Sequence, residues 1–144
     1  MAKKEDNFLD TTLTDDTKSL LLFKKFYNDQ DYRQLISEKF KLSYYSDYPI
    51  AVALSLLIKF HRKYNQLPTI DLLKDMVIKA TANNNKYDPK LINTSIDSAL
   101  NLDINVDETF IRDSVVNFIS SVNTSSDSKV IRKATLFKSS PSFS

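Results

Sequence analysis

His61 is the one histidine in the chain and the one side chain whose ordinary titration lies near neutrality. It follows Phe60 and lies one helical turn from Leu57 and Ile58. General-base catalysis would need a nucleophile and an orienting group beside it, and no motif supplies them. Its spacing fits a rim or partly buried histidine. Carboxylate pairs stand at Asp15/Asp16, Asp71/Asp75 and Asp107/Glu108. They have the residue type for acid–base or metal chemistry, but each falls at an expected helix start, where acids complement the helix dipole. A single His with no Cys offers no donor set for a transition metal. Two runs, Phe23-Lys24-Lys25-Phe26-Tyr27 and Tyr44-Tyr45, mix rings and cations in the way that single-stranded nucleic acid uses for stacking and phosphate contact. The helical spacing of Phe23, Phe26 and Tyr27 places them instead in a core. No catalytic residue, metal site or cofactor is expected, and an enzyme is the least supported reading.

The 144 residues include no glycine, whereas ordinary usage would give roughly ten. A phosphate-binding P-loop, a dinucleotide fingerprint, a nucleophile elbow and a calcium loop all need glycine, and none fits this chain. Glycine-dependent hairpins are equally excluded, which points to helices joined by Asn, Asp and Pro turns. The hydrophobic share of 42% and aromatic share of 11% suffice for a buried core. The absence of cysteine fits a reducing compartment. No apolar leader opens the chain, and the apolar stretch from Ile50 to Ile58 is about half a membrane span. The expectation is a cytoplasmic protein with no membrane partner.

Charge and serine divide at one place. Residues 1 to 118 hold 16 Lys/Arg against 17 Asp/Glu and 8 Ser; residues 119 to 144 hold 4 against 1 and 9 Ser. The body is therefore near neutral, and strong direct DNA binding by the globular part is not expected. Three segments follow: a lead-in over 1–14, with isolated apolar Phe8, Leu9 and Leu13, a helical domain over 15–122, and a Ser-rich basic tail over 123–144 expected to be disordered.

Periodicity predicts about six helices. Asp15 or Asp16 caps the first, over Thr17 to Asn28, with Leu20, Phe23 and Tyr27 on one stripe and Leu22 and Phe26 beside it. Asp31 restarts a short helix using Tyr32, Leu35, Ile36 and Phe40. Asp47 caps a long helix to about Asn65, with Pro49 just inside its start. Only Ser55, Lys59, Arg62 and Lys63 form a polar stripe there, and a helix so widely apolar should be central. Thr69 caps the fourth, with Leu72, Leu73, Met76, Val77 and Ala80 as its face. Asp88-Pro89 starts the fifth, which buries Ile92, Ile96, Ala99 and Leu100. Asp107 or a neighbour caps the sixth, where Ile111, Val115, Phe118, Ile119 and Val122 recur at helical spacing and Phe110 and Val116 flank them. After Val122 only Val130, Ile131, Leu136 and Phe137 suggest one more marginal turn. The fold class expected is all-α: a compact bundle of about six helices with a short, disordered or poorly packed C-terminal tail.

Tyr44-Tyr45-Ser46-Asp47, the apolar helix ending Phe60-His61-Arg62-Lys63-Tyr64, and Leu67-Pro68-Thr69-Ile70-Asp71-Leu72-Leu73 occur in an order that resembles the N-terminal domain of DnaB-like hexameric replicative DNA helicases, particularly the phage versions. The resemblance runs from about Ser19 to Phe118 and includes Asp107-Glu108-Thr109-Phe110-Ile111-Arg112, which looks like the entry to that family's helical hairpin. It implies a non-catalytic module that forms the collar of the helicase ring and docks primase or a loader. The family's ATPase motor, with its glycine-rich P-loop, has no counterpart in these residues. From Ile119 onward the sequence departs from the family by turning Ser-rich, as a truncated coding sequence or a free-standing paralogue would.

Two expectations compete. In the first, the chain acts in DNA replication through self-association, primase or a helicase loader, with Phe110, Ile111, Val115, Phe118 and Ile119 as an exposed apolar contact patch on the sixth helix. In the second, it is a small nucleic-acid-binding regulator that uses the basic tail and the cluster around Lys24 and Lys25.

Overall fold

A computed structural model describes residues 13–138 other than residue 105, with side chains as far as Ser125. The lead-in residues Phe8 and Leu9, and the side chains of Val130, Ile131, Leu136 and Phe137, lie outside the described part. Six α-helices follow one another: α1 Asp15–Asn28, α2 Gln30–Lys39, α3 Ile50–Tyr64, α4 Ile70–Thr81, α5 Pro89–Leu100 and α6 Glu108–Lys138, with a 3-10 turn Leu42–Tyr45 before α3. No strand occurs among the described residues. The all-α bundle expected from periodicity is the fold. The compositional boundary at 122/123 falls inside α6, whose backbone is helical to Lys138.

Short polar side chains start most of the helices, though not always the ones expected. Thr14 rather than Asp15 or Asp16 caps α1, its Oγ1 accepting from Thr17 N at 3.1 Å, so the helix begins two residues early and both aspartates sit in its first turn. Asp29 rather than Asp31 caps α2, accepting from Asp31 N at 3.0 Å. Asp47 does not cap α3, whose N-cap position is Pro49 with no side-chain bond. The 3-10 turn hands over to α3 through the backbone, with Tyr48 N donating to Tyr45 O and Ala51 N to Tyr48 O, both at 3.0 Å. The first-turn donors Ala51 N and Val52 N thus meet the carbonyls of Tyr48 and Pro49 and not a side chain. Thr69, Asp88 and Asp107 cap α4, α5 and α6 as expected, accepting from Leu72 N, Lys90 N and Thr109 N.

α3 ends at Asn65, the one positive-φ residue in the described chain, with φ 53° and ψ 32°, and its N–H donates to His61 O at 2.8 Å. Asparagine tolerates this left-handed cap, which explains how a chain without glycine closes its central helix. Asn65→Ala is expected to cost about 1 kcal/mol and Asn65→Gly to be neutral or slightly stabilising, read by thermal denaturation.

α3 packs against α1, α4, α5 and the 3-10 turn, and α1 packs against α2, α3, α5 and α6. Phe23, Phe26, Ala53, Leu57, Ile96 and Val77 are fully enclosed where these helices meet. α3 is wrapped so widely that Ser55, expected on its polar stripe, is buried as well. On α4 the inward positions are Leu73, Val77 and Thr81 at four-residue spacing, and the Thr81 hydroxyl donates to Val77 O at 2.8 Å. Leu72 and Ala80, expected on that face, are exposed. A helix covered by two neighbours hides a narrower strip than its apolar residues suggest, and Leu72 is rotated about 100° from Leu73.

Candidate interaction surfaces

α6 carries the residues expected to form a contact patch. Ile111, Val115, Phe118 and Ile119 are 7%, 1%, 4% and 4% exposed, so they are core residues and not a surface. Their covering comes from α1, α2 and the 3-10 turn together: the Phe118 ring meets Tyr45 of the turn edge-on at 6.0 Å and Tyr48, just after it, at 5.9 Å. Phe110 is half-buried, and Val116 is the exposed apolar residue on the outer side. The expectation of an exposed apolar patch is thus corrected, because the helix already has a partner within the chain.

At its N-terminus α6 is locked to α1 and α2 around Glu108. Its carboxylate accepts from the Tyr32 hydroxyl at 2.8 Å and meets Lys25 Nζ at 3.3 Å. Lys25 Nζ and the Arg112 guanidinium lie 5.3 and 5.6 Å from the Tyr32 ring centre. The Tyr32 bond holds the Glu108 carboxyl below its ordinary range against a smaller opposing effect of burial, and Lys25 adds to the lowering. Burial, reinforced by the Glu108 bond, pushes the Tyr32 hydroxyl up to about 12. Neutral Tyr32 therefore contributes stability that is complete below the unfolded value of about 10 and is lost as the pH rises through about 12. The melting temperature is expected to fall over that window and to fall less for Tyr32→Phe, as followed by circular dichroism. The acid-side effect of Glu108 has the opposite sense, being present above the usual carboxylate range and lost below it. It should be under about 1 kcal/mol because that side chain is 58% exposed.

The aromatic-basic run of α1 is equally committed. Phe23 and Phe26 are fully buried, the Tyr27 hydroxyl donates to Pro68 O at 3.0 Å, and Lys24 Nζ donates to Leu102 O. Tyr45 is buried beneath Phe40, leaving no open ring pair at Tyr44-Tyr45.

A groove of about 560 Å³ opens where α2 meets the end of α3, lined by Gln30, Arg33, Gln34, Ser37, His61 and Asn65. His61 takes the rim position expected of it, half-buried, with its ring edge-on to Phe26 at 5.8 Å. Arg33 is braced by Phe26 O at 2.8 Å and Tyr27 O at 3.0 Å. Arg62 bridges to α2 through Ser37 Oγ at 3.1 Å and Ser37 O at 2.6 Å. The spacing around His61 gives no sign of this groove, because its walls come from two helices: Gln30, Arg33, Gln34 and Ser37 on α2, and His61 and Asn65 at the end of α3. Among the described residues no three His, Cys, Asp or Glu side chains cluster as a metal site, and no helix is long and apolar enough to cross a membrane. Comparison with protein-family models, curated proteins and solved structures finds no match.

Proposed function

We propose that this chain is a non-catalytic helical module of the kind that builds the collar of a hexameric replicative DNA helicase and docks a primase or a loader. The observation that carries the reading is α6. It opens at the Asp107 cap, where the collar family's helical hairpin would begin, and Asn123 Nδ2 ties it to Lys39 O on α2 at 3.1 Å. From there its backbone continues to Lys138, about 22 Å farther at 1.5 Å per residue. An amphipathic helix can dock a partner by laying one face against another helix. Because Ile111, Val115, Phe118 and Ile119 are consumed by the core, the docking element is the stretch beyond Asn123.

The test is calorimetric titration of the full chain with the cognate primase and loader, with light scattering over a range of protein concentrations. Binding or dimerisation is expected, and Ile131→Asp in the distal part of α6 should abolish it. A chain that stays monomeric and gives no binding heat with either protein would overturn the reading.

A further inference from the structure

From Lys129 to Lys138 the helix α6 carries the cations Lys129, Arg132, Lys133 and Lys138 and no Asp or Glu. Because the backbone there is helical, the sequence fixes which positions share a face. Written as heptads, with a and d forming the seam that packs on a partner helix, Val130 and Phe137 take d and Ala134 takes a. Ile131 takes e beside the seam, and Leu136 stands off it at c. Lys133 and Lys138 take g and e, the positions that border the seam on its two sides.

The same register runs back into the part of α6 that is seated on the bundle. Val116 takes d there and is 38% exposed, and Asp113 and Ser120, both at a, are exposed as well. The buried residues Ile111, Val115, Phe118 and Ile119 fall at f, c, f and g. The seam therefore runs along the outer side of α6, away from the core. Between Val116 and Val130 its positions are Ser120, Asn123 and Asp127, so its apolar part begins at Val130. Cations in the last turn of a helix have an ordinary explanation in the helix dipole. That explanation covers Lys138, but not Lys133 a turn earlier, nor an apolar seam at heptad spacing between the two.

We infer that the seam Val130, Ala134 and Phe137, bordered by Lys133 and Lys138, docks an acidic helix of a different protein, one with apolar a and d positions and Glu or Asp at e and g. The inference rests on the docking role of distal α6 proposed above and gives that role a partner chemistry. A second copy of this chain fits poorly. In a parallel pair Lys133 at g meets Lys138 at e of the other copy, and like charges there repel. An antiparallel pair supplies no acid either, because the e and g positions of 124–138 hold Thr124, Ser126, Ile131, Lys133 and Lys138. A lipid surface fits less well than a helix. A helix lying on a membrane buries a broad apolar face, whereas Val130, Ala134 and Phe137 lie within about 60° of one another.

The experiment uses the full chain and two fluorescein-labelled four-heptad peptides with Leu at a and d, one carrying Glu and the other Lys at every e and g, followed by anisotropy. The Glu peptide should bind and the Lys peptide should not, and added salt should weaken the binding. The double variant Lys133→Glu/Lys138→Glu should lose about tenfold in affinity for the Glu peptide and gain affinity for the Lys peptide. Phe137→Ser should abolish binding with the melting temperature unchanged, and Lys59→Glu on α3 should change nothing. Equal binding of both peptides, or an affinity untouched by the double variant, would overturn the inference. So would equal competition by poly-glutamate, which reduces the contact to a general polyanion effect, or by phosphatidylserine vesicles, which assigns the helix to a lipid surface. The same variants separate this inference from the collar reading. Primase or loader binding that the double variant leaves unchanged sinks the acidic partner and keeps the collar module. Binding of the Glu peptide through Phe137, with neither protein bound, does the reverse.

Discussion

Phe118→Ala is expected to destabilise the protein by about 3–5 kcal/mol, lowering the melting temperature by roughly 10 °C or more. The ring is 4% exposed and stands edge-on to both Tyr45 and Tyr48, so truncation empties a volume whose walls belong to two separate elements. The 3-10 turn reaches α3 through backbone bonds at Tyr45 and Tyr48, so neither ring can easily move into the space. Phe118→Asp adds an unpaired charge in that position and should abolish cooperative unfolding altogether. Since a domain's whole stability is about 5–15 kcal/mol, either change removes a large share. Val116→Asp, two residues away at an exposed position, should stay within about 0.5 kcal/mol. A Phe118→Ala protein that melts like the parent would show that α6 is not seated on the 3-10 turn, and would return Phe118 to the surface.

The misplaced patch shows what a sequence can and cannot reveal here. The spacing of Ile111, Val115, Phe118 and Ile119 identified an apolar face correctly, and all four residues are buried. What periodicity lacks is the identity of the cover. Tyr45 and Tyr48 belong to a segment with no regular alternation, far earlier in the chain, and only the tertiary fold brings them over α6. The same limit explains the caps. Asp15, Asp31 and Asp47 are all good cap residues, but Thr14, Asp29 and backbone carbonyls reached the orphan N–H groups first. Thr69 and Asp88, each directly before an unambiguous helix, were legible. The groove was illegible for a different reason: its side chains are polar, spaced without a motif and contributed by two helices, so no linear pattern announces it.

α3 poses the sharpest question of orientation, because a helix apolar nearly all round gives periodicity little to work with. Adjacent leucines separate the possibilities. Leu57 is fully enclosed among α1, α4 and α5, while Leu56, about 100° away, is only partly buried. Leu57→Ala leaves a cavity that neighbouring helices cannot close without losing their own contacts, and about 2–5 kcal/mol should be lost. Leu56→Ala opens toward solvent, so water fills the space and only part of the transfer free energy is forfeited, about 1 kcal/mol. Urea denaturation of the two variants beside the parent measures the difference, with the midpoint shifting and the slope unchanged. Tyr64, seven residues on and therefore on nearly the same face as Leu57, is 53% exposed because it is the last residue of the helix and not because it faces away. Equal losses for the two leucines would mean that α3 is rotated, and a rotated α3 would carry His61 and Asn65 away from Arg33 and dismantle the groove.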